Sequence, residues 1–247
     1  MHRFFLPPEQ CAPPVLRLTG REAHHAARVL RLQAGAPVVV LDGCGGEHLG
    51  EITRVEKSCV IVRVGETRRH PPPPAKITLF QAIPKGRGLE DIIQKATELG
   101  VREIVPLFTA RTVPQFDASQ AQAKCLKWRQ IAVEAVKQCG QPWLPQVSPP
   151  LPLAQTLPRA GEIELPLLAS LAPGAGLVRR WFADFCRERR GPPSSVGLWI
   201  GPEGDFSPEE TRSLLDAGAR PVTLGPLVLR VETAALCALA AIGQELL

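Results

Sequence analysis

The chain has 247 residues, 45% of them hydrophobic and 21% charged, with 29 basic residues against 24 acidic and a net charge of +5. This length buries a core in one large domain or two modest ones, and the composition excludes collagen-like and disordered chains. No apolar run approaches the roughly 20 residues of a membrane helix, and "MHRFFLPPEQ" lacks the apolar core and cleavage site of a signal peptide, so a cytoplasmic location is expected.

In chain order, "VLRLT" reads as a strand leading into Thr19-Gly20-Arg21-Glu22, a T-x-x-E capping box that starts a short helix through "AARVLRL". "PVVVLDG", a "CGG" turn, "LGEITRVE" and "CVIVRVGE" then run apolar or alternate between turn residues, as strands of a small barrel do. "RRHPPPPAK" (Arg68 to Lys76) contains four consecutive prolines, which continue neither a helix nor a central strand and make a stiff spacer. The predicted boundary falls there, with domains at 1–72 and 73–247.

Beyond the prolines the pattern alternates. "KITLFQAIP" is a strand. "LEDIIQKATELG" places Ile92, Ile93, Ala96 and Leu99 on one helical face and ends at Gly100. "VREIVPLF" is a second strand, followed by a long helix from Ser119 to Cys139. "ELPLLAS" is a third strand, "GLVRRWFADFCRERR" a helix, "VGLWI" and "PVTL" the last strands, and "ETAALCALAAIGQELL" a closing helix. Alternating strands and helices predict an α/β domain with a mostly parallel sheet covered on both faces.

Two of these strands stop at Gly-Pro pairs, Gly201-Pro202 and Gly225-Pro226. Between them, Ser207 is a predicted N-cap, Pro208 occupies the first helical position, Glu210 completes a capping box and Gly218 stops the helix. A crossover helix makes "VGLWI" and "PVTL" parallel, with their carboxyl ends on one edge, and "PLLAS" shares that edge if it belongs to the same sheet. Ligands of open α/β sheets bind outside strand carboxyl ends, so the candidate loops are Leu168–Ser170, Gly201–Asp205 and Gly225–Arg230.

Glu203, Asp205, Glu209 and Glu210 crowd the first Gly-Pro loop, and neither a G-x-G-x-x-G nor a Walker pattern is present, which disfavours a polyphosphate. A neutral or cationic ligand held through backbone groups suits it better. All five histidines (His2, His24, His25, His48, His70) precede residue 71 and the chain has no tyrosine, so a local histidine triad or histidine-metal site is excluded there. The seven cysteines (Cys11, Cys44, Cys59, Cys125, Cys139, Cys186, Cys237) are scattered without a C-x-x-C pair, which argues against a disulfide framework and a cysteine-ligated zinc. The basic residues are spread along the chain, so any RNA footprint comes from folded surfaces.

"IGPEGDFSPEE" followed by "LGPLVLRVETAA" resembles the C-terminal signature of the ribosomal small subunit methyltransferase E family, within the SPOUT superfamily. The rest agrees in order: "RFFLP", "HHAARVLRL", "KGRGLEDIIQKATELGV" with "IVPLFTART", and "KWRQIAVEAVKQCG". The resemblance implies S-adenosylmethionine-dependent methylation of N3 of one uridine in small-subunit ribosomal RNA. It also implies a PUA-like, RNA-binding β-barrel followed by a SPOUT domain threaded as a trefoil knot. The implied assembly is a homodimer, with the small-subunit RNA or the assembled subunit as partner and no metal.

The cofactor-binding residues so implied are Leu168, Ala169, Ile200, Gly201, Pro202, Glu203, Gly204, Leu224, Gly225, Pro226, Leu227, Leu229, Arg230 and Thr233. The catalytic candidates are Arg230, to stabilise a uridine anion or clamp a phosphate; Glu203, toward the cofactor amine; and Arg111, reaching the site or RNA from the partner subunit. Ion pairs of Arg230 with Glu232 or Glu203, a purely structural Glu203, a plain surface arginine at Arg111 and a solvated turn at Lys85 and Arg87 stand as alternatives. Arg3, Arg28, Arg31, Lys85, Arg87 and Gln141 are the RNA-binding candidates, with His24 and His25 structural or RNA-facing. Three positions depart from the family pattern: Gln141 and Leu227 stand where arginine is common, and Asp205 replaces a common glycine. Rival readings are another SPOUT methyltransferase acting on a different base or on transfer RNA, a non-catalytic RNA-binding protein, and an α/β hydrolase or phosphotransferase.

Overall fold

The computed structural model describes residues 1–172 and 174–247, which pack as two compact units, 1–72 with 133–144 and 73–132 with 145–247.

The first unit is built from β1 (His2–Phe5), β2 (Val15–Thr19), α1 (Gly20–His24) running into a π-helical turn at His25–Val29, β3 (Pro37–Leu41), β4 (Gly46–Val55) and β5 (Cys59–Arg69). The sheet order is β1-β3-β4-β5-β2, with β1 parallel to β3 and the other ladders antiparallel. Each strand sends side chains into one core: Phe4, Leu16 and Leu18, Val38 and Val40, Ile52, and Val60 and Val62, closed by Ala23 and Ala26 of the helical segment. Irregularities at Leu49/Gly50 and Ile52/Arg54 bend the β4-β5 ladder, the usual device for curling a sheet round such a core. The ladder path ends at β1 and β2, so the expected barrel is open between these two strands.

The T-x-x-E capping box does not form. Thr19 makes no capping bond; Glu22 Oε2 instead accepts the Phe5 amide at 3.3 Å, and its Oε1 accepts Lys137 Nζ at 2.9 Å. Long-range partners outcompete the local cap.

The second unit contains β6 (Lys76–Ala82), α2 (Gly88–Glu98), β7 (Glu103–Phe108), α3 (Ala118–Cys139, of which 118–132 group here), β8 (Gln146–Val147), β9 (Leu151–Pro152), α4 (Leu157–Glu162), β10 (Leu165–Ala169), α5 (Val178–Arg189), β11 (Ser195–Ile200), α6 (Pro208–Asp216), β12 (Arg220–Val222) and α7 (Val231–Glu245). All its ladders are parallel, in the order β12-β10-β11-β6-β7-β8, with β9 also on β7. The two Gly-Pro strands, β11 and β12, are parallel as expected, but β10 lies between them.

One face of this sheet packs Phe80, Val105, Leu107, Leu168 and Trp199 against Leu153, Ala160, Phe206 and Leu214. Buried side chains of this size contribute about 1.5–3 kcal/mol each. α7 packs on β11, α2 and α5, burying Ala235, Ala238, Leu239 and Ile242. In α2 the buried side is Leu89, Ile92, Ile93, Ala96 and Thr97; Leu99, expected on that face, is the C-cap and is exposed, because the chain turns away at Gly100 with φ +83°.

Candidate functional site

The carboxyl ends of β12, β10 and β11 are adjacent, and the three loops leaving them form one cleft with about 610 Å³ of empty space including its mouth. Ala169, Ile200, Gly201, Pro202, Glu203, Leu224, Gly225, Leu227 and Leu229 line it as expected. Ser170, Asp205 and Val228, from the three candidate loops, also line it, and Leu171, Val231 and Ala234 lie outside those loops and were not anticipated. A helical spacing of three for Val231 and Ala234 after the second Gly-Pro loop was the available signal for the last two.

Five expected residues stay off the wall. Leu168 is buried in the sheet core, Gly204 stands beside Arg111, and Pro226, Arg230 and Thr233 are exposed. Arg230 is the N-cap residue of α7, with extended backbone at φ −63°, ψ 154°, and makes no ion pair among the described residues, so neither alternative partner, Glu232 nor Glu203, engages it.

The first loop is a tight turn closed by Asp205 N donating to Pro202 O at 2.9 Å. A Cβ on Gly201 would lie 2.8 Å from Asp205 Oδ1 and 3.1 Å from the Asp205 Cα, so no larger residue fits. Asp205 itself has φ +61°, in the left-handed region that aspartate tolerates because its carboxylate bonds locally, here accepting Phe206 N at 2.8 Å. Gly225 has φ +119°, a conformation essentially reserved for glycine, and its amide donates to Thr223 Oγ1 at 3.3 Å.

The four carboxylates of this loop are engaged by the protein. Glu203 Oε1 accepts the Lys85 amide at 2.8 Å, Glu209 accepts Ser207 Oγ at 2.9 Å, and Glu210 accepts the amides of Ala110 and Ser207 at 2.7 and 2.8 Å. Bonding from its own amide and from the Ser207 hydroxyl holds the Glu209 carboxyl below the ordinary range. The predicted capping box on Ser207 and Glu210 is present. Arg111 is exposed and donates Nη1 to the carbonyls of Gly204 and Phe206 in its own chain. Lys85 and Arg87 are exposed at the loop before α2.

In the first unit, Arg3 is half-buried and bonded to the end of α3. Its Nη1 donates to Gln138 O at 3.1 Å and Lys137 O at 3.4 Å, where the end of α3 leaves carbonyls unpaired. Gln141 Oε1 is taken up locally by the Trp143 amide. Arg28 and Arg31 are exposed, as are Arg17, Arg21 and His24, and none of them is ion-paired among the described residues. His25 is half-buried edge-on to Phe4. By contrast Arg54, Arg63, Arg68 and Arg69 pair with Glu56, Glu51, Glu66 and Asp42.

A family model of an RNA methyltransferase domain matches residues 71–243, and one of an RNA methyltransferase PUA domain matches residues 18–65. The fold is thus that of an RNA methyltransferase. The ribosomal RNA small subunit methyltransferase E of Synechocystis is 34% identical over 99% of this chain and 78% of its own. The enzyme of that name from Neisseria gonorrhoeae, solved bound to S-adenosyl methionine, is 28% identical with a TM-score of 0.85, over 99% of this chain and 97% of that one. A Legionella pneumophila protein solved with bound cofactor SAM is 35% identical, again with a TM-score of 0.85, over 98% and 96%. The chain belongs to the ribosomal RNA small subunit methyltransferase E family.

Proposed function

We propose that this protein transfers the methyl group of S-adenosylmethionine to N3 of one uridine in small-subunit ribosomal RNA. The observation that carries the reading is the cleft itself: three parallel strand ends converge on a pocket of backbone groups and aliphatic walls, with no histidine among its lining residues. Bound there, S-adenosylmethionine would supply an electrophilic methyl on a cationic sulfur.

The residues fit that group. Gly225 and Gly201 let the backbone approach closely, Leu227, Val228 and Leu171 offer exposed apolar surface to a base and ribose, and the surrounding carboxylates keep the local field negative beside a sulfonium. What this chain must add is alignment and a charge for the deprotonated uridine. Arg230 supplies that charge: it is exposed, unpaired among the described residues, and at the positive end of α7, so a developing anion is stabilised from two sources.

The reading extends to organisation. Residues 1–72 form the RNA-binding PUA-like domain and 73–247 the SPOUT domain. Exposed Arg17, Arg21, His24, Arg28 and Arg31 offer the first domain a track for phosphates, and Lys85 and Arg87 offer another from the second. A trefoil knot is supported by the return of the chain from edge strand β12 to a helix packed on β11 and α2. A homodimer is supported by the exposed small-residue stripe Thr233, Cys237 and Ala240 on α7. A cytoplasmic enzyme of ribosome maturation is the setting this implies.

Calorimetric titration with S-adenosylmethionine tests the assignment: micromolar one-site binding per chain supports it, and the absence of binding removes it. Light scattering at micromolar concentration tests the dimer.

A further inference from the structure

The turn from Gly201 to Phe206 lines the cleft, yet side chains rooted elsewhere hold it. Glu210, in the first turn of α6, spans two segments: Oε1 accepts the Ala110 amide from the loop after β7 at 2.7 Å, and Oε2 accepts the Ser207 amide at 2.8 Å. Arg111, the next residue along that loop, reaches back and donates to Gly204 O and Phe206 O. The loop carrying both grips is itself closed, with Thr112 Oγ1 accepting the Thr109 amide at 3.0 Å and Thr112 buried. A carboxylate on amides and a guanidinium on carbonyls are charge-assisted bonds, roughly twice as strong as neutral ones.

Besides these grips the turn is held by the Asp205 to Pro202 backbone bond, by Glu203 on the Lys85 amide and by Phe206. Gly204 is exposed and conformationally free, and Asp205 already sits in the left-handed region; Phe206 is the apolar anchor, buried in the sheet core. We propose that Arg111 and Glu210 are positioning residues: acting through Gly204 and Ser207, they hold the turn in the shape in which Gly201, Pro202 and Glu203 form the cleft wall. This rests on the cofactor reading above. Arg111 is exposed, whereas Glu210 is half-buried and completes the capping box of α6, so some loss of stability accompanies Glu210→Ala and cofactor binding is the readout that reports the positioning role.

The test is titration of S-adenosylmethionine into the full chain, its Arg111→Ala and Glu210→Ala variants and the double variant, at a temperature where circular dichroism reports all of them folded. Methylation KM and kcat are measured alongside. Each single variant is expected to raise Kd and KM for the cofactor about tenfold with kcat changed less than about threefold, as the loss of one charge-assisted bond implies. The double variant is expected to be less than additive, because both grips act on one turn. Arg111→Lys keeps a donor toward Gly204 O and is expected to recover most of the loss.

Unchanged Kd with only a lowered melting temperature overturns the positioning role and leaves the cofactor reading intact. No binding by the unmodified chain removes both. If an alanine variant fails to fold, Glu210→Gln and Arg111→Met decide: weakening of about threefold supports the role, and full affinity in both overturns it.

Discussion

Glu103 and Arg159 meet in a two-pronged ion pair at the amino end of the second sheet, Nη1 3.0 Å from Oε1 and Nη2 2.9 Å from Oε2. Lys76 Nζ lies 2.6 Å from the same carboxylate, and the guanidinium sits 5.0 Å from the centre of the Phe80 ring, which stacks on Trp199. This cluster lies at the end of the strands opposite the cleft. Burial pushes the Glu103 carboxyl up, but Arg159 and Lys76 outweigh it and hold it below its ordinary value of 4.5. Replacing Arg159 by Met leaves the buried carboxylate with Lys76 as its remaining cation and is expected to cost about 2 kcal/mol in urea denaturation at neutral pH, with S-adenosylmethionine affinity little changed. The folded value being depressed, this stability is present above pH 4.5 and lost as pH falls below it. The variant should therefore lose less between pH 5 and pH 3 than the parent.

His48 gives a second pH signature. It is fully buried on β4, with Nδ1 3.0 Å from Thr67 Oγ1 and Nε2 without a hydrogen bond, 3.9 Å from Asp42 Oδ2. Burial lowers its proton affinity below the ordinary 6.5 even though Asp42 pulls the other way. Between the folded and unfolded values the unfolded chain binds more protons, so stability is lost as pH falls below 6.5. Thermal melts across pH 7.5 to 5 should show this slope, and His48→Gln should flatten it.

The two Gly-Pro loops depend on glycine for different reasons. Gly225→Ala meets no atom within 4 Å but must hold φ +119°, at a cost of about 1–3 kcal/mol. Gly201→Ala has an ordinary backbone but collides with Asp205. Pairing Gly201→Ala with Asp205→Gly should therefore relieve the first substitution and leave Gly225→Ala unimproved. Calorimetric cofactor affinity of the four combinations checks this.

Much of this architecture was legible in the sequence because it is local. The strand and helix alternation, the Ser207 capping box, the Gly100 and Gly218 stops and the paired Gly-Pro ends are all written within a few residues. What was not legible depends on distant partners. No property of "ELPLLAS" says that it inserts between the two Gly-Pro strands. Glu22 satisfies the capping-box spacing but bonds Phe5 and Lys137 instead, 17 and 115 residues away. Nothing in α3 marks residue 133 as the point from which its packing joins the first unit. The loop carboxylates looked free for a ligand because the amides of Lys85 and Ala110, 118 and 100 residues away, are invisible at the level of composition.

Arg230 separates binding from chemistry. If it stabilises the uridine anion, Arg230→Ala should lower kcat by about 10²–10³ while S-adenosylmethionine Kd stays within a factor of about two, as removal of one donor to a developing anion does. Raising the pH should partly restore the variant, since a higher fraction of uridine is then already deprotonated. Steady-state kinetics from pH 7 to 9.5 reads both effects.

Arg17, Arg28 and Arg31 are expected to act on RNA through phosphates. Each alanine substitution should weaken RNA binding without changing sequence preference and reduce the slope of log K against log salt by about one contact. Arg63→Ala, which removes an arginine already paired with Glu51, should change it less.

The central claim is tested most directly by incubating the purified protein with isotopically labelled S-adenosylmethionine and small ribosomal subunits from cells that lack it, followed by nucleoside mass spectrometry of the RNA. The expected product is labelled 3-methyluridine at one site, abolished or strongly reduced with Arg230→Ala. Label on a different base, or an RNA left unmodified by protein that binds the cofactor, would contradict the assignment.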